Sequence, residues 1–534
     1  MITQQRESLW LPIFLYGLLA FVLSFFLLPP NNFIGYDGVY YARMAENVMA
    51  GRGITAGFEV PYAHPPLYPI LMGILSKLFF HDTEFSGHFI SILAFSFTII
   101  PVFLLARTVY SVSTAHWTSF LYATHGFLLI NSNLVMTETL FTLLVMSQIY
   151  LVHHATQEEA NRISPGIFIG IIGGLAYLTR PEGLFVSVVA ILSLFLLSPK
   201  PFVPKTRLIL VSLTAFLVFF LPYVSFVHHK AHKMPLSGAM TELLVMKRMH
   251  TSSAEQYLEA KKIYEGLTSD KTRPKVEELD EQFDFFDYLR ANHFALLRQV
   301  FPSVIVRIMG INQYLFGGVG FLLIGASFFS APWDQRRRRA ELLFLLFLST
   351  FLPVLFGIFI PKRFLTYFPI FLIWMGNGIE VLRSWAKGSF NLNQRKSFIV
   401  ASGVCLLFCL PSAWYLHRTF TQFPMPFENK ELGLWMKENI PHIEEEKVAA
   451  RHRSVNYYAG AEIIKLPYVE KFGDFLTYMA HQRARYFAVS EDLDQPILDS
   501  YRFLLDETKA LPLGINRVHT VKGNHKIILY EIIS

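Results

Sequence analysis

Five ionisable residues border long apolar runs in this chain: Asp37, Glu138, Arg180, Glu182 and Arg363. Charge in that setting is costly unless it is paired, hydrated or functional. A carboxylate there can accept a proton from a hydroxyl or hold a metal, and a guanidinium can grip phosphate with two parallel hydrogen bonds. Each has a plainer use as well. Asp37 can cap a helix at Gly38, Glu138 can cap one or pair with a cation, and arginines at span ends commonly reach for lipid headgroups. Glu182, two residues from Arg180, is expected to pair with it locally.

The elements that must position these groups follow from composition and periodicity. Of 534 residues, 53% are hydrophobic, 51 are Phe and only 16% are charged, against about a quarter charged in soluble proteins. Apolar runs of spanning length fall at about 10–28, 86–106, 114–131, 136–154, 165–179, 183–198, 208–227, 304–330, 340–360, 364–382 and 397–415, predicting a mostly α polytopic membrane protein of about eleven spans. Leu67–Phe80 is apolar but short, carries Lys77 and follows Pro65-Pro66. It is therefore expected to be re-entrant or interfacial. That choice keeps Arg107, Arg162, Lys200, Lys205, Arg207, the Arg336–Arg339 run, Arg383, Lys387, Arg395 and Lys396 on inside loops, as the positive-inside rule requires. It also puts Asp37, Glu138, Arg180 and Arg363 on the outer face together.

The resulting domain plan has a membrane catalytic domain at 1–415, with a first outer loop at 29–84 and a large outer loop at 228–303. A C-terminal α/β domain follows at 416–534. In the first loop, a helix starting near Asp37 would place Tyr40, Met44 and Val48 on one face and Arg43 and Glu46 away from it, the pattern of a helix lying in a membrane interface. The C-terminal segment reads as helix (Lys430–Asn439), strand (Lys447–Ala450), a turn at Tyr457, Tyr458 and Gly460, helix (Glu470–Gln482), strand (Arg485–Val489) and a terminal hairpin around Lys522-Gly523-Asn524.

Several function classes drop out. The net charge of +7 is spent on inside loops, and no basic stripe with interleaved aromatics suggests nucleic acid. Cys405 and Cys409 share an apolar run and imply neither disulfide nor zinc site. Histidines 153, 154, 228, 229 and 232 lack a matched ligand set. Trp10–Leu28 has no small-residue cleavage site and reads as a first anchor.

The motif order resembles that of GT-C integral-membrane glycosyltransferases, of the protein O-mannosyltransferase and lipid A aminoarabinose transferase types. The matching pieces are Gly35-Tyr36-Asp37-Gly38-Val39-Tyr40-Tyr41, His64-Pro65-Pro66-Leu67, Met136-Thr137-Glu138-Thr139-Leu140, Leu178-Thr179-Arg180-Pro181-Glu182-Gly183 and Pro361-Lys362-Arg363-Phe364. The resemblance implies a GT-C fold and inverting transfer of a sugar from a polyprenyl-phosphate donor to an outer-face acceptor: lipid A, a protein or a cell-wall glycan. It implies Asp37 as base, with Glu138 beside it as a second catalytic carboxylate that orients the acceptor or shares a metal. Arg180, Arg363 and Lys362 would face the lipid phosphate, and His64 and Tyr41 the sugar. No cofactor is required: the donor carries one phosphate, so a divalent cation is allowed but unnecessary. Many relatives carry two adjacent acidic residues where this chain has Asp37-Gly38, so Asp37 stands alone. The setting implied is a bacterial inner membrane, with the site and C-terminus extracytoplasmic. Two other classes fit the residues less well. A transporter or flippase predicts mid-span charges and internal pseudo-symmetry, and neither is evident. A polysaccharide ligase or polymerase would draw on Arg248, Arg273, Arg290 and Arg298 in the large loop but leaves Asp37 unexplained.

Overall fold

A computed structural model describes residues 9–27, 33–56, 64–157, 162–231, 318–330, 332–351, 361–422, 425–467, 469, 472–493 and 499–533. Of the large loop at 228–303, residues 232–303, with Arg248, Arg273, Arg290 and Arg298, lie outside the described residues. By contacts the chain divides into two units: Met1–Leu28 with Met44–His417, and Pro29–Arg43 with Arg418–Ser534.

The first unit is helical. Its elements are α1 (Trp10–Phe26), the second half of α2 (Tyr36–Met49), α3 (Leu67–Leu75), α4 (Thr83–Val109), α5 (Val112–Thr124), α6 (Gly126–Ser132), α7 (Glu138–Gln157), α8 (Ser164–Thr179), α9 (Gly183–Leu197) and α10 (Phe202–Ala231), followed by α11 (Val319–Phe329), α12 (Gln335–Ser349), α13 (Pro361–Phe364), α14 (Phe368–Ser389) and α15 (Gln394–Gln422). Polar side chains set several starts by accepting a free first-turn N–H: Asp82 from Phe85 at 3.0 Å, Ser111 from Thr114 at 3.0 Å and Asp334 from Arg337 at 2.7 Å. By length and composition three described helices can cross a membrane: Thr83–Val109, Phe202–Lys230 and Gln394–Thr421. Trp10–Phe26, Leu67–Phe80, Ser164–Thr179, Gly183–Leu197 and Val319–Phe329 are apolar but shorter. Leu67–Phe80, including a π-helical end at Ser76–Phe80, is about 21 Å long, short of the ~30 Å hydrocarbon core. His81 ends it with a left-handed backbone, φ 52°.

Two expected spans are interrupted. The run at 114–131 breaks at His125, whose backbone is extended (φ −73°, ψ 118°). There Gly126 donates its N–H to Ser412 Oγ at 2.5 Å. A Cβ on Gly126 would lie 2.3 Å from the Ser412 carbonyl, so α15 is too close for a side chain. The run at 364–382 becomes α13, a turn, and α14, which extends to Ser389. Within the Arg336–Arg339 run, Arg337 differs from a simple topology anchor: it is 5% exposed, donates to the Ser327 and Ser330 carbonyls at 2.6 Å, and pairs with buried Glu341 at 3.5 Å. Tyr110 and Trp374 also donate to Glu341, so this polar knot ties α11, α12 and α14 to the end of α4.

Helices α8 and α10 pack in parallel along a glycine ladder. A Cβ on Gly166 would meet Leu208, one on Gly170 would meet Ser212 and one on Gly174 would meet Phe219, at 2.9, 2.2 and 2.7 Å. The residue numbers rise together, so both N-termini lie at one end. Small residues matter here because association within lipid relies on close backbone packing more than on exclusion of water.

The second unit joins Pro29–Arg43 to an α/β fold with α16 (Phe427–Asn439), β1 (Lys447–Ala450), α17 (Arg453–Ala459), β2 (Glu462–Lys465), α18 (Phe472–Gln482), β3 (Tyr486–Ser490), β4 (Ile515–Lys522) and β5 (Lys526–Ile532). Strand order is β2-β1-β3-β5-β4, with β1 parallel to β2 and β3, and β5 antiparallel to β3 and β4. Alternation builds two cores. Ala449, Phe487, Val489, Ile528 and Tyr530 face Phe475 and Met479 of α18. Val448, Ala450, Tyr486, Ala488 and Leu529 face Leu432 and Met436 of α16 and Val455 of α17. The tyrosine segment read as a turn is helix α17, closed by Gly460 at φ 77°.

Gly170→Val should lower the unfolding midpoint of the detergent-purified protein by several degrees. Overpacking costs about 1–3 kcal/mol, and the Ser212 carbonyl is backbone. Gly403→Val, where a Cβ meets nothing within 4 Å, should leave the midpoint unchanged. Equal shifts in the two variants would refute the close-packed α8–α10 seam.

Candidate functional site

The α8–α9 connection is built for close packing. Arg180 leaves α8 in an extended conformation (φ −151°, ψ 141°), its N–H still bonded to the Ala176 carbonyl at 2.9 Å. Pro181 follows, and Gly183 donates back to the Arg180 carbonyl at 2.9 Å. A Cβ on Gly183 would lie 2.4 Å from the Ala176 carbonyl carbon, so the Arg-Pro-Glu-Gly turn needs its glycine. The turn holds the Arg180 side chain inward.

There the guanidinium is held by two carboxylates. Arg180 Nη1 lies 3.1 Å from Glu138 Oε1 and donates to Thr137 Oγ1 at 3.2 Å; Nη2 donates to Glu182 Oε1 at 3.1 Å. Its central carbon sits 5.8 Å from the Phe141 ring centroid. Arg180 and Glu138 are largely buried, with side-chain exposures of 14% and 4%. Glu138 occupies the first turn of α7, where the helix dipole also favours its charge. Its Oε2 is buried with no hydrogen-bond partner among the described residues.

Arg363 joins this group electrostatically. Burial pushes the Glu182 carboxyl up, but the charges of Arg180 and then Arg363, with the Arg180 hydrogen bond, prevail and hold it at about 2. Tyr367, four residues beyond Arg363, is also within electrostatic reach of Glu182 and Arg180, and its hydroxyl meets Thr350 Oγ1 at 2.6 Å. The first unit thus gathers Glu138, Arg180, Glu182 and Arg363: two cations and two carboxylates around one turn. Glu182 pairs with Arg180 as the spacing implied. Thr137 and Tyr367 belong to the group but were not singled out from sequence. The available signals were that Thr137 adjoins Glu138 and that Tyr367 lies about one helical turn after Arg363.

Asp37 is half-buried in the first turn of α2. It lies in the segment Pro29–Arg43 assigned to the second unit. That segment is firmly held there. Ile34 N–H donates to Tyr458 Oη at 2.9 Å, and Arg43 Nη2 donates to the Ala461 carbonyl at 2.7 Å and the Asn456 carbonyl at 3.2 Å. The Arg453 guanidinium lies 4.1 Å from the Tyr40 ring centroid. Tyr40 and Met44 are buried, Val48 is half-buried and Glu46 is exposed, in line with the amphipathic pattern, and Tyr41 is buried as well. Arg43, expected to point away from the packed face, is instead half-buried and engaged with the C-terminal fold. His64 is half-buried before buried Pro65 and Pro66. Lys362 is in α13, with its side chain outside the described residues.

Residues 63–226, carrying Glu138, Arg180 and Glu182, match the family model described as dolichyl-phosphate-mannose-protein mannosyltransferase. The chain is similar in structure to the archaeal oligosaccharyltransferase AglB from Archaeoglobus fulgidus in complex with an inhibitory peptide and a dolichol-phosphate. The TM-score is 0.59 at 15% identity, over 89% of this chain and 69% of that one. It is similar also to ArnT from Cupriavidus metallidurans bound to undecaprenyl phosphate, with a TM-score of 0.56 at 14% identity over 97% of both chains. The chain has the GT-C fold. The matched segment is less than a third of the chain, and across the rest the likeness to these two structures is one of fold. Comparison with curated proteins gave no match. Asp37 and Arg363 lie outside the segment matched by the family model.

Glu138→Ala should destabilise strongly, since removing one partner of a buried pair costs about 3–5 kcal/mol. Glu182→Gln offers a pH signature. A carboxyl held at about 2 instead of the ordinary 4.5 adds stability that is full above 4.5 and lost as pH falls toward 2. The gap in unfolding midpoint between wild type and Glu182→Gln should therefore be constant from pH 5 to 8 and shrink below 4.5. A gap that widens on acidification would refute the ion pair.

Proposed function

We propose that the chain transfers a sugar from a polyprenyl-phosphate donor to an extracytoplasmic acceptor, a lipid, glycan or protein, with inversion at the anomeric carbon. The reading takes about eleven spans in residues 1–415, an outer domain at 416–534 and a bacterial inner membrane as its setting. One observation carries it. Two arginines and two carboxylates gather at the α8–α9 turn and α13, next to apolar helices, where charge needs a purpose. The polyprenyl phosphates bound by AglB and ArnT support a donor of that class.

In the reaction so read, the acceptor oxygen attacks the anomeric carbon as Asp37 removes its proton. The bond from the anomeric carbon to the phosphate oxygen breaks, and its electron pair leaves with the polyprenyl phosphate. Asp37 then returns the proton to water. Arg363, with Lys362, offers positive charge to the departing phosphate. Arg180 already serves two carboxylates, so its first task is to hold the turn, and it adds to the local field as the phosphate charge grows. The buried free oxygen of Glu138 suits a hydroxyl of the acceptor. His64 and Tyr41 are assigned to the sugar. The donor bears a single phosphate, so a divalent cation is not required for neutralisation.

Transfer from a radiolabelled polyprenyl-phosphate-sugar pool in purified membranes tests this reading. At matched expression, Asp37→Asn should cut transfer by about 10²-fold or more while donor binding persists. Wild-type transfer by Asp37→Asn would remove Asp37 as base. Arg363→Gln should weaken donor binding roughly ten-fold or more, the scale of a lost charge-assisted hydrogen bond. Chelation with EDTA should leave transfer unchanged. Loss on chelation with recovery on adding magnesium would assign the carboxylates to a metal.

A further inference from the structure

Between α6 and α7, residues 133–137 leave helical geometry inside the apolar helical unit, and Asn133, Val135 and Thr137 are buried there. Buried backbone outside a helix must find partners for its carbonyls. Two of them are met locally: Leu134 accepts from the Met136 N–H at 2.9 Å, and Thr137 accepts from the Phe141 N–H at 2.9 Å as α7 begins. The Asn133 and Met136 carbonyls are met from α4. His88 Nδ1 donates to the Asn133 carbonyl at 2.5 Å, and Ser91 Oγ donates to the Met136 carbonyl at 3.3 Å. A carbonyl can only accept, so the Asn133 contact places a proton on His88 Nδ1.

Steric fit holds the same stretch against α4. A Cβ on Gly87 would lie 2.6 Å from Val135 Cγ1 and 2.9 Å from Met72 Cε of α3, so both neighbours close on α4 at this glycine. Gly87, His88 and Ser91 fall within about one helical turn, and all three are buried. Ser91 is itself held from α3: the Tyr68 hydroxyl lies 2.9 Å from its Oγ and donates to the Gly87 carbonyl at 2.8 Å. The Met136 carbonyl belongs to the peptide unit that leads into Thr137. Thr137 and Glu138 are the two residues that meet Arg180 Nη1, at 3.2 and 3.1 Å. Displacing the stretch would displace both.

We propose that His88 and Ser91 are positioning residues for Glu138. By pinning residues 133–137 to α4, they set where the Glu138 carboxylate meets Arg180 and where its second oxygen points. Neither side chain touches the reacting atoms in this assignment. The consequence for transfer rests on the reading of Glu138 as the group that meets the acceptor hydroxyl, and misplacing such a group by about 1 Å can cost about 10²-fold. If the two side chains did no more than satisfy buried carbonyls, their loss would not be felt at Glu138.

The full-length protein, purified in detergent, tests the positioning through a double-mutant cycle on its unfolding midpoint. Ser91→Ala, and separately His88→Ala, should lower the midpoint roughly half as much in a Glu138→Gln background as in wild type, because contacting networks are not additive. Equal drops in the two backgrounds would overturn the proposal. Transfer from the radiolabelled polyprenyl-phosphate-sugar pool reads the consequence. At matched expression, His88→Ala/Ser91→Ala should lose transfer roughly ten-fold or more, while retention of added undecaprenyl phosphate stays at the wild-type level. His88→Asn, which keeps an N–H near the Nδ1 position, and Ser91→Thr, which keeps the hydroxyl, should each restore most of the activity lost in the matching alanine variant. Ser96→Ala removes a hydroxyl bonded to the Ile92 carbonyl within α4 itself and should transfer as wild type does. Conservative variants as impaired as the alanine ones would also overturn the proposal. If wild type transfers nothing from the pool, the transferase reading falls, and the midpoint cycle still decides whether His88 and Ser91 place Glu138.

Discussion

The architecture of the first unit turns on one electrostatic constraint: a guanidinium that leaves the end of an apolar helix must be neutralised on the spot. Arg180 meets it with Glu138 on one side and Glu182 on the other, each at 3.1 Å. The two carboxylates come from different places, the start of α7 and the α8–α9 turn. Satisfying one charge therefore fixes the relative placement of three helices. Arg363 extends the same field to α13, and the depressed pKa of Glu182 registers both cations.

The far side of the helical unit follows the same rule with different residues. Arg337 is buried among the Ser327, Ser330 and Pro332 carbonyls and the Glu341 carboxylate. Between these polar knots the helices touch through small residues. Gly166, Gly170 and Gly174 let α8 and α10 approach until backbone meets side chain. This division is what a lipid solvent demands. Apolar burial gives little preference among helix faces there, so packing shape and internal polar contacts must select the partners.

The second unit rests on ordinary aqueous physics. Its sheet alternates side chains between two cores, and helices cover both faces. The unexpected part is Pro29–Arg43, which joins this fold through the Tyr458 hydroxyl and the Asn456 and Ala461 carbonyls. The helix carrying Asp37 is thereby tied to the fold formed by residues more than four hundred positions later.

Much of this was legible in the sequence, because local rules govern it. Run length marked apolar stretches in which the structure describes helices, the alternation of helical and strand segments marked β1 and β3, and the Lys522-Gly523-Asn524 signal marked the terminal hairpin. The motif order marked Glu138, Arg180 and Arg363, and two-residue spacing paired Glu182 with Arg180. What failed to show was set by distant neighbours. The break at His125 depends on Ser412, the engagement of Arg43 on Ala461, and the difference between Arg337 and the arginines beside it on the carbonyls of α11. The union of Glu138 with Arg180 is of the same kind. Hydropathy and periodicity report how a segment meets its solvent, whereas the partner of a buried charge is chosen by whichever helix the tertiary fold brings within about 3 Å.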